Sequence, residues 1–230
     1  MIFDPLYFIV LAPGILLGIY AQWKVSSAYH RGSRIATRSG ITGAQAAATV
    51  LDTAGLQSVG IEDIPGQLTD HYDPHAKVLR LSPDVYEGNS IASVGIAAHE
   101  AGHAIQDARR YTLLVLRNAA VPLANFGSGA GWIILVLGFA LQMTGLVWIG
   151  IAVFSLTVVF QLVNLPVEFD ASRRAKEELV RTGIITAEEL PEVRRVLSAA
   201  ALTYVAATLT AILTLIYFLM RAGAFGRRSG

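Results

Sequence analysis

The chain has 230 residues, of which 53% are hydrophobic and 15% are charged, with a formal net charge of +1. Together with a mean hydropathy of +0.52, this composition excludes an ordinary soluble domain and indicates an integral membrane protein. The near-neutral charge favours neither a nucleic acid nor an acidic partner, and the absence of cysteine excludes disulfides and cysteine-held metals.

Uncharged segments predict four membrane-spanning helices. No Asp, Glu, Lys or Arg occurs in residues 5–23, 118–167 or 196–220, and a crossing needs about 20 apolar residues. The first span could be a cleavable signal, but Asp4 and the lack of a preceding basic residue favour a retained anchor. The second gap could hold one long span with a re-entrant piece, although a polar turn at Gln142–Gly145 favours two. The predicted spans are about 5–22, 119–142, 146–165 and 199–220.

The basic residues predict which side of the membrane each loop occupies. Fifteen of the eighteen lysines and arginines lie in residues 23–117 and 166–198. Four crossings place these two segments on one side, which the positive-inside rule makes the cytoplasm. The tail, which carries Arg221, Arg227 and Arg228, is then expected outside.

The first cytoplasmic segment contains three recognisable elements in chain order. Thr42 is a favourable N-cap for a helix that ends at Gly55. The stretch QLTDHYDPHAKVLRLS, residues 67–82, predicts a hairpin that turns at Tyr72–His75. Its second strand, Lys77–Leu81, either offers a free edge to an extended substrate, through Val78, Leu79, Arg80 and Leu81, or is merely structural. A helix capped by Asn89 is then expected from about Ser90 to Arg110.

This last helix contains His99-Glu100-Ala101-Gly102-His103. Two histidines four residues apart lie on one helical face, so both imidazoles can reach one zinc ion at about 2.1 Å. Glu100 is placed to act as a general base without being a ligand. The alternative is an ordinary helix with two half-buried histidines and a solvated glutamate, but small residues on the helix favour close approach of another helix.

A third ligand must come from elsewhere on the cytoplasmic side. His71 and His75 flank the predicted hairpin turn, where a surface role is the more common one. The stretch NLPVEFDASRRA, residues 164–175, is the better candidate. Pro166 suits the first turn of a new helix, and Glu168 follows on that turn. Glu168 could simply interact with the helix dipole, but two spans separate it from His103, which returns it to the same side of the membrane.

Three stretches together resemble a known family. The HEAGH motif, NLPVEFDAS downstream and LTDHYDPHAKVLRLSP upstream are similar to those of the YugP-type neutral zinc metallopeptidases, which are bacterial membrane proteins. The resemblance implies zinc bound by His99, His103 and Glu168, with Glu100 as catalytic base. The related HtpX-like proteins carry an aspartate four residues after the glutamate, where this chain has Ser172. The nearest acid, Asp170, either orients a ligand histidine or binds a nearby arginine.

The sequence thus predicts an all-α integral membrane protein of the bacterial plasma membrane, with a small cytoplasmic zincin-like α+β unit formed by two loops. The expected activity is zinc-dependent hydrolysis of membrane or membrane-proximal proteins. The expected partners are a protein or peptide substrate and the lipid bilayer, with no nucleic acid. The alternatives are a non-catalytic zinc-binding scaffold or chaperone, and an intramembrane metalloprotease.

The expected segments are an anchor (1–22), the HEAGH segment (23–117), a helical hairpin (118–165), the Glu168 segment (166–198) and a last span with tail (199–230).

Overall fold

The computed structural model describes residues 4–223 and is mainly helical, with one small sheet. The helices are α1 (Pro5–Gly32), α2 (Gly43–Thr53), α3 (Pro83–Tyr86), α4 (Ile91–Ala108), α5 (Thr112–Ala140), α6 (Thr144–Arg181) and α7 (Leu190–Arg221), and the strands are β1 (Gly60–Asp63), β2 (His71–Asp73) and β3 (Val78–Leu81). Two arginines of the predicted outer tail, Arg227 and Arg228, lie outside the described residues.

Four helices, α1, α5, α6 and α7, are long and apolar enough to cross a membrane. The four predicted crossings are therefore confirmed as membrane-capable helices. Residues 119–165 form parts of two helices, because α5 ends at Ala140 and α6 begins at Thr144. Gln142 adopts a left-handed backbone conformation (φ 55°) in the turn between them. The side of the membrane that each segment faces stays a prediction.

Helix α6 is continuous across Pro166, so the predicted start of a new helix at this proline is wrong. Proline removes one backbone donor, but single prolines are tolerated inside membrane helices. The buried face also keeps its helical spacing through this region, since Asn164, Val167, Glu168 and Ala171 are all buried. Burial of that face outweighs the local cost of the proline.

The chain forms two compact units. Within residues 4–223, the first comprises the residues up to Tyr20, Leu116–Leu165 and the residues from Thr203 onwards. Its core contains aliphatic and aromatic side chains, including Leu135, Phe154, Tyr217 and Phe218. Because lipid is as apolar as these side chains, close packing rather than the hydrophobic effect favours association of such helices.

The second unit comprises Ala21–Val115 and Pro166–Leu202. Its core includes Val50, Leu81, Val94, Ile105 and Leu179. Helix α2 begins with the expected cap, because Thr42 and Gln45 form a reciprocal capping box. Helix α4 lies in this core, and its cap is Ser90, one residue after the predicted Asn89.

The sheet has the order β1–β3–β2, with β3 parallel to β1 and antiparallel to β2. The predicted hairpin is therefore present as β2 and β3. The prediction of a free edge on Val78–Leu81 is wrong, because β3 pairs on both sides. Strand β1 was missed because its sequence, GIED, has only one β-branched residue and no clear alternation. Leu79 and Leu81 are fully buried, as expected for side chains on the central strand of the sheet.

Candidate metal centre

The three predicted ligands come together within the second unit. His99 and His103 lie one turn apart on α4, with ring centroids separated by 4.8 Å. Glu168 projects from α6, and its Oε2 lies 3.4 Å from His99 Nε2 and 3.6 Å from His103 Nε2. One ligand atom from each residue lies within 4.8 Å of the others. The arrangement can hold a metal ion, and the ligand roles themselves stay predictions.

Small residues bring α4 and α6 close enough to form this group. A Cβ atom added at Gly102 would lie only 2.7 Å from the backbone oxygen of Ala171 on α6. Ala98 and Ala101 on α4 and Ala171 on α6 have no exposed surface. The backbones can therefore approach at a distance that larger side chains would prevent.

His103 is oriented by a glutamine that the sequence did not single out. The distance from His103 Nδ1 to Gln106 Oε1 is 3.0 Å, and the Gln106 amide donates to Val167 O and to Asp170 Oδ2. An amide oxygen can only accept, so Nδ1 carries the proton and the Nε2 lone pair faces Glu168. The signal that could have identified Gln106 is its position three residues after His103, on the same helical face.

Asp170 makes contacts that correspond to both alternatives considered for it. Its Oδ2 accepts from Arg174 Nε at 2.6 Å, and its Oδ1 pairs with Arg173. It reaches His103 only through Gln106. Asp170 is therefore linked to His103 through Gln106 and bound by the two arginines, and its role in orienting the histidine stays a prediction.

His99 has a different partner, Ser172. The Ser172 hydroxyl lies 3.1 Å from His99 Nδ1. Ser172 is the residue four positions after Glu168, where the sequence comparison with HtpX-like proteins led us to look for an aspartate. Both histidines thus have Nδ1 engaged by a polar group, which leaves Nε2 directed towards Glu168.

Glu100 lies beside this group and is buried, with 8% of its surface exposed. Burial raises the pKa of Glu100 to about 7, with His99 opposing the shift and Glu168 adding to it. Asp70 and His71, at the start of β2, also act electrostatically on Glu100. The carboxylate is therefore set in a low-dielectric site of the kind that general bases occupy.

The other two histidines of this region do not join the three ligands. His71 Nδ1 lies 2.8 Å from Thr69 O, and the backbone N–H of His75 donates to Asp73 in the hairpin turn. In the described chain, residues 4–223, the metal-capable group consists of His99, His103 and Glu168. Both histidines are exposed, which agrees with the surface role predicted for them, and His71 also acts electrostatically on Glu100.

The donor set fits zinc. Two imidazole nitrogens and one carboxylate oxygen are a ligand combination that catalytic zinc sites use, and such sites keep a fourth position open for water or substrate. The ligands are largely buried, with side-chain exposures of 15%, 10% and 2% for His99, His103 and Glu168. The polar contacts at both Nδ1 atoms supply the outer support that zinc-binding histidines require.

Comparisons with known proteins agree with this chemistry. A family profile described as "Putative neutral zinc metallopeptidase" matches residues 7–223. The chain is 47% identical over 204 residues to a Bacillus subtilis (strain 168) protein named "Putative membrane protease YugP", with 89% of this chain and 91% of that protein covered. No solved structure matches the chain. The resemblance stated from the three motifs is therefore confirmed, and the chain belongs to the family described as "Putative neutral zinc metallopeptidase".

Proposed function

We propose that the protein is a zinc-dependent membrane peptidase that hydrolyses peptide bonds of membrane or membrane-proximal proteins. The observation that carries the proposal is the convergence of His99, His103 and Glu168 beside the buried carboxylate of Glu100. Three protein ligands with an adjacent base are the arrangement of a hydrolytic zinc site rather than of a closed structural one. The family description and the relative's name support the same activity.

The residues of the site divide the chemistry between them. Zinc, when bound by the two histidines and Glu168, would act as a Lewis acid. Glu100 accepts a proton from the attacking water as the water oxygen adds to the peptide carbonyl carbon. It then delivers that proton to the leaving nitrogen as the C–N bond breaks. Gln106 and Ser172 hold the histidine rings in place during these steps.

The substrate backbone is proposed to bind along β2. Strand β3 is paired on both sides, so Val78–Leu81 cannot receive a substrate through main-chain hydrogen bonds. Strand β2 lies at the margin of the sheet, and His71 acts electrostatically on Glu100. An extended peptide added beside β2 would use the strand-addition mode common among peptide-binding proteins.

The site is proposed to face the cytoplasm. The second unit holds all three ligands, and the segments that form it carry most of the lysines and arginines of the chain. The positive-inside rule then places it in the cytoplasm of a bacterial plasma membrane. The charges of Asp170, Arg173 and Arg174 immediately after Glu168 favour a site outside the lipid over an intramembrane one.

The decisive experiment separates base from ligand. Glu100→Gln keeps the side-chain shape but removes the proton acceptor, so we expect peptide hydrolysis by the purified full-length protein to fall at least ~100-fold. Zinc content, measured by elemental analysis, should stay at the wild-type value. Glu87→Gln, at an exposed position, is the matched control and should keep full activity. Unchanged hydrolysis in Glu100→Gln would refute the assignment of the base, and loss of zinc would make Glu100 a ligand.

A further inference from the structure

A cavity between α6 and α7 of the second unit is lined by none of the three predicted metal ligands. Its volume is about 510 Å³, which is within the range of small-molecule sites. Four basic side chains and one carboxylate, Glu177, line it together with two apolar side chains. The basic residues are Arg173, Lys176, Arg181 and Arg194.

Two of the four cations are neutralised by neighbouring carboxylates. Arg173 pairs with Asp170 and with Glu177, and Arg181 pairs with Glu178. These are short-range pairs along one helix, three or four residues apart. The charges of Arg173 and Arg181 are therefore balanced by carboxylates of the same helix.

The other two cations, Lys176 and Arg194, form no ion pair within residues 4–223. Lys176 is half-buried, and burial together with the positive charge of Arg194 lowers its pKa, with Glu177 opposing the shift. The fold therefore holds two like charges near each other at one cavity. This repulsion costs free energy that a bound anion would offset.

The remaining lining suits a ligand with both an anionic and an apolar part. Val180 and Leu190 provide apolar surface next to the basic groups. Helices α6 and α7 also carry the membrane-capable apolar segments. Along α6, Lys176 lies between two and three turns beyond Val167, where the uncharged segment ends, and along α7 Arg194 lies less than one turn before the uncharged segment that starts at Val196. An anionic phospholipid combines a phosphate group with apolar chains, and basic pockets near the ends of membrane helices bind such headgroups.

We propose that this cavity binds a phosphate-bearing anion through Lys176 and Arg194. The two sources of that chemistry are the headgroup of an anionic phospholipid and a soluble phosphate compound. The site shares neither residue with the proposed zinc centre, so it stands or falls independently of the peptidase activity. A phospholipid bound there would link the second unit to the composition of the surrounding membrane.

The test uses the full chain, purified in a neutral detergent, and two water-dispersible lipids. Dioctanoyl-phosphatidylglycerol and dioctanoyl-phosphatidylcholine are titrated separately, and binding is measured by thermophoresis. We expect at least ~10-fold tighter binding of the anionic lipid, and about 30-fold weaker binding of it by the Lys176→Gln, Arg194→Gln double variant. Inorganic phosphate is then added as a competitor.

The matched control is Arg34→Gln with Arg109→Gln, which removes the same net charge from exposed positions of the same unit. This control should bind the anionic lipid as tightly as the wild type does. If it lost as much affinity as the Lys176→Gln, Arg194→Gln variant, the proposal would be overturned. The exchange Lys176→Arg with Arg194→Lys keeps both charges and should keep binding, which excludes misfolding as the cause. If inorganic phosphate displaces the lipid, a soluble phosphate compound is sufficient to occupy the cavity. If the lipid binds and phosphate does not displace it, the ligand is the headgroup of an anionic phospholipid. Equal affinity for the two lipids, without phosphate binding, would also refute the site.

Discussion

Two carboxylates in one turn of α6 make different contacts. Glu168 lies against both histidine Nε2 atoms, whereas Asp170 contacts Gln106 and two arginines. A direct zinc ligand and an indirect support should therefore respond differently to neutralisation of their charge.

The first prediction concerns this pair. Glu168→Gln should lower zinc affinity more than Asp170→Asn, because an amide is a much poorer zinc ligand than a carboxylate. Asp170→Asn should cost about 10- to 100-fold in affinity or rate. Competition with a fluorescent zinc chelator measures both. The reverse order, with Asp170→Asn losing the metal and Glu168→Gln retaining it, would transfer the ligand role to Asp170.

A second prediction concerns Gln106, which is fully buried. Gln106→Met keeps a similar volume but removes the acceptor for His103 Nδ1, so zinc affinity should fall about 10- to 100-fold. Gln57→Met is the control, because Gln57 is exposed and its side-chain amide donates to the backbone oxygen of Asp52. Thermal unfolding in the presence of a chelator checks that both variants fold. Wild-type zinc affinity in Gln106→Met would show that His103 does not need this partner.

At the scale of elements, the centre depends on how closely α4 approaches α6. The contact involves Gly102 on one helix and the backbone of Ala171 on the other. The histidines and Glu168 belong to these same two helices, so the helix separation sets the distances between ligands.

A third prediction follows for Gly102→Ala. The added Cβ must move about 0.7 Å away from Ala171 O to reach an ordinary contact distance, and overpacking of this kind costs about 1–3 kcal/mol. A catalytic geometry tolerates displacements of only about 0.5 Å, so zinc affinity should fall at least ~10-fold. Gly95→Ala, on the same helix, meets only Val193 Cγ1 at 3.4 Å and should stabilise the protein by up to ~1 kcal/mol.

Chemical denaturation and zinc titration measure these two effects separately. If Gly102→Ala retained wild-type zinc affinity, the helix separation would not control the centre. Loss of zinc in both alanine variants would instead indicate a general sensitivity of α4.

At the scale of the whole molecule, cysteine labelling can determine which side of the membrane each segment faces. The chain has no cysteine, so a single introduced cysteine gives an unambiguous label. Glu188→Cys lies in the second unit, and Met143→Cys lies between α5 and α6; both positions are exposed.

The fourth prediction is that a membrane-impermeant thiol reagent added to intact cells labels Met143→Cys and leaves Glu188→Cys unlabelled until the cells are opened. The reason is that two crossings flank Met143, which places it opposite the basic loops. Ser39→Cys should behave like Glu188→Cys, because the two segments of the second unit share one side. Labelling of Glu188→Cys and Ser39→Cys in intact cells would invert the proposed topology.

Hydropathy and spacing in the sequence determined the four membrane-capable helices, the α2 cap and the pairing of His99 with His103, because each depends on residues near one another in the chain. The sequence also predicted Glu168 as the third ligand, through the resemblance and the even number of crossings, and the structure brings it next to the two histidines. Only the tertiary structure decided that α6 continues through Pro166 and that β1 pairs with β3. It also decided that Gln106, and not Asp170, contacts His103. These features depend on burial and on contacts between residues far apart in sequence, and tertiary packing overrides local signals such as an isolated proline or a weak strand.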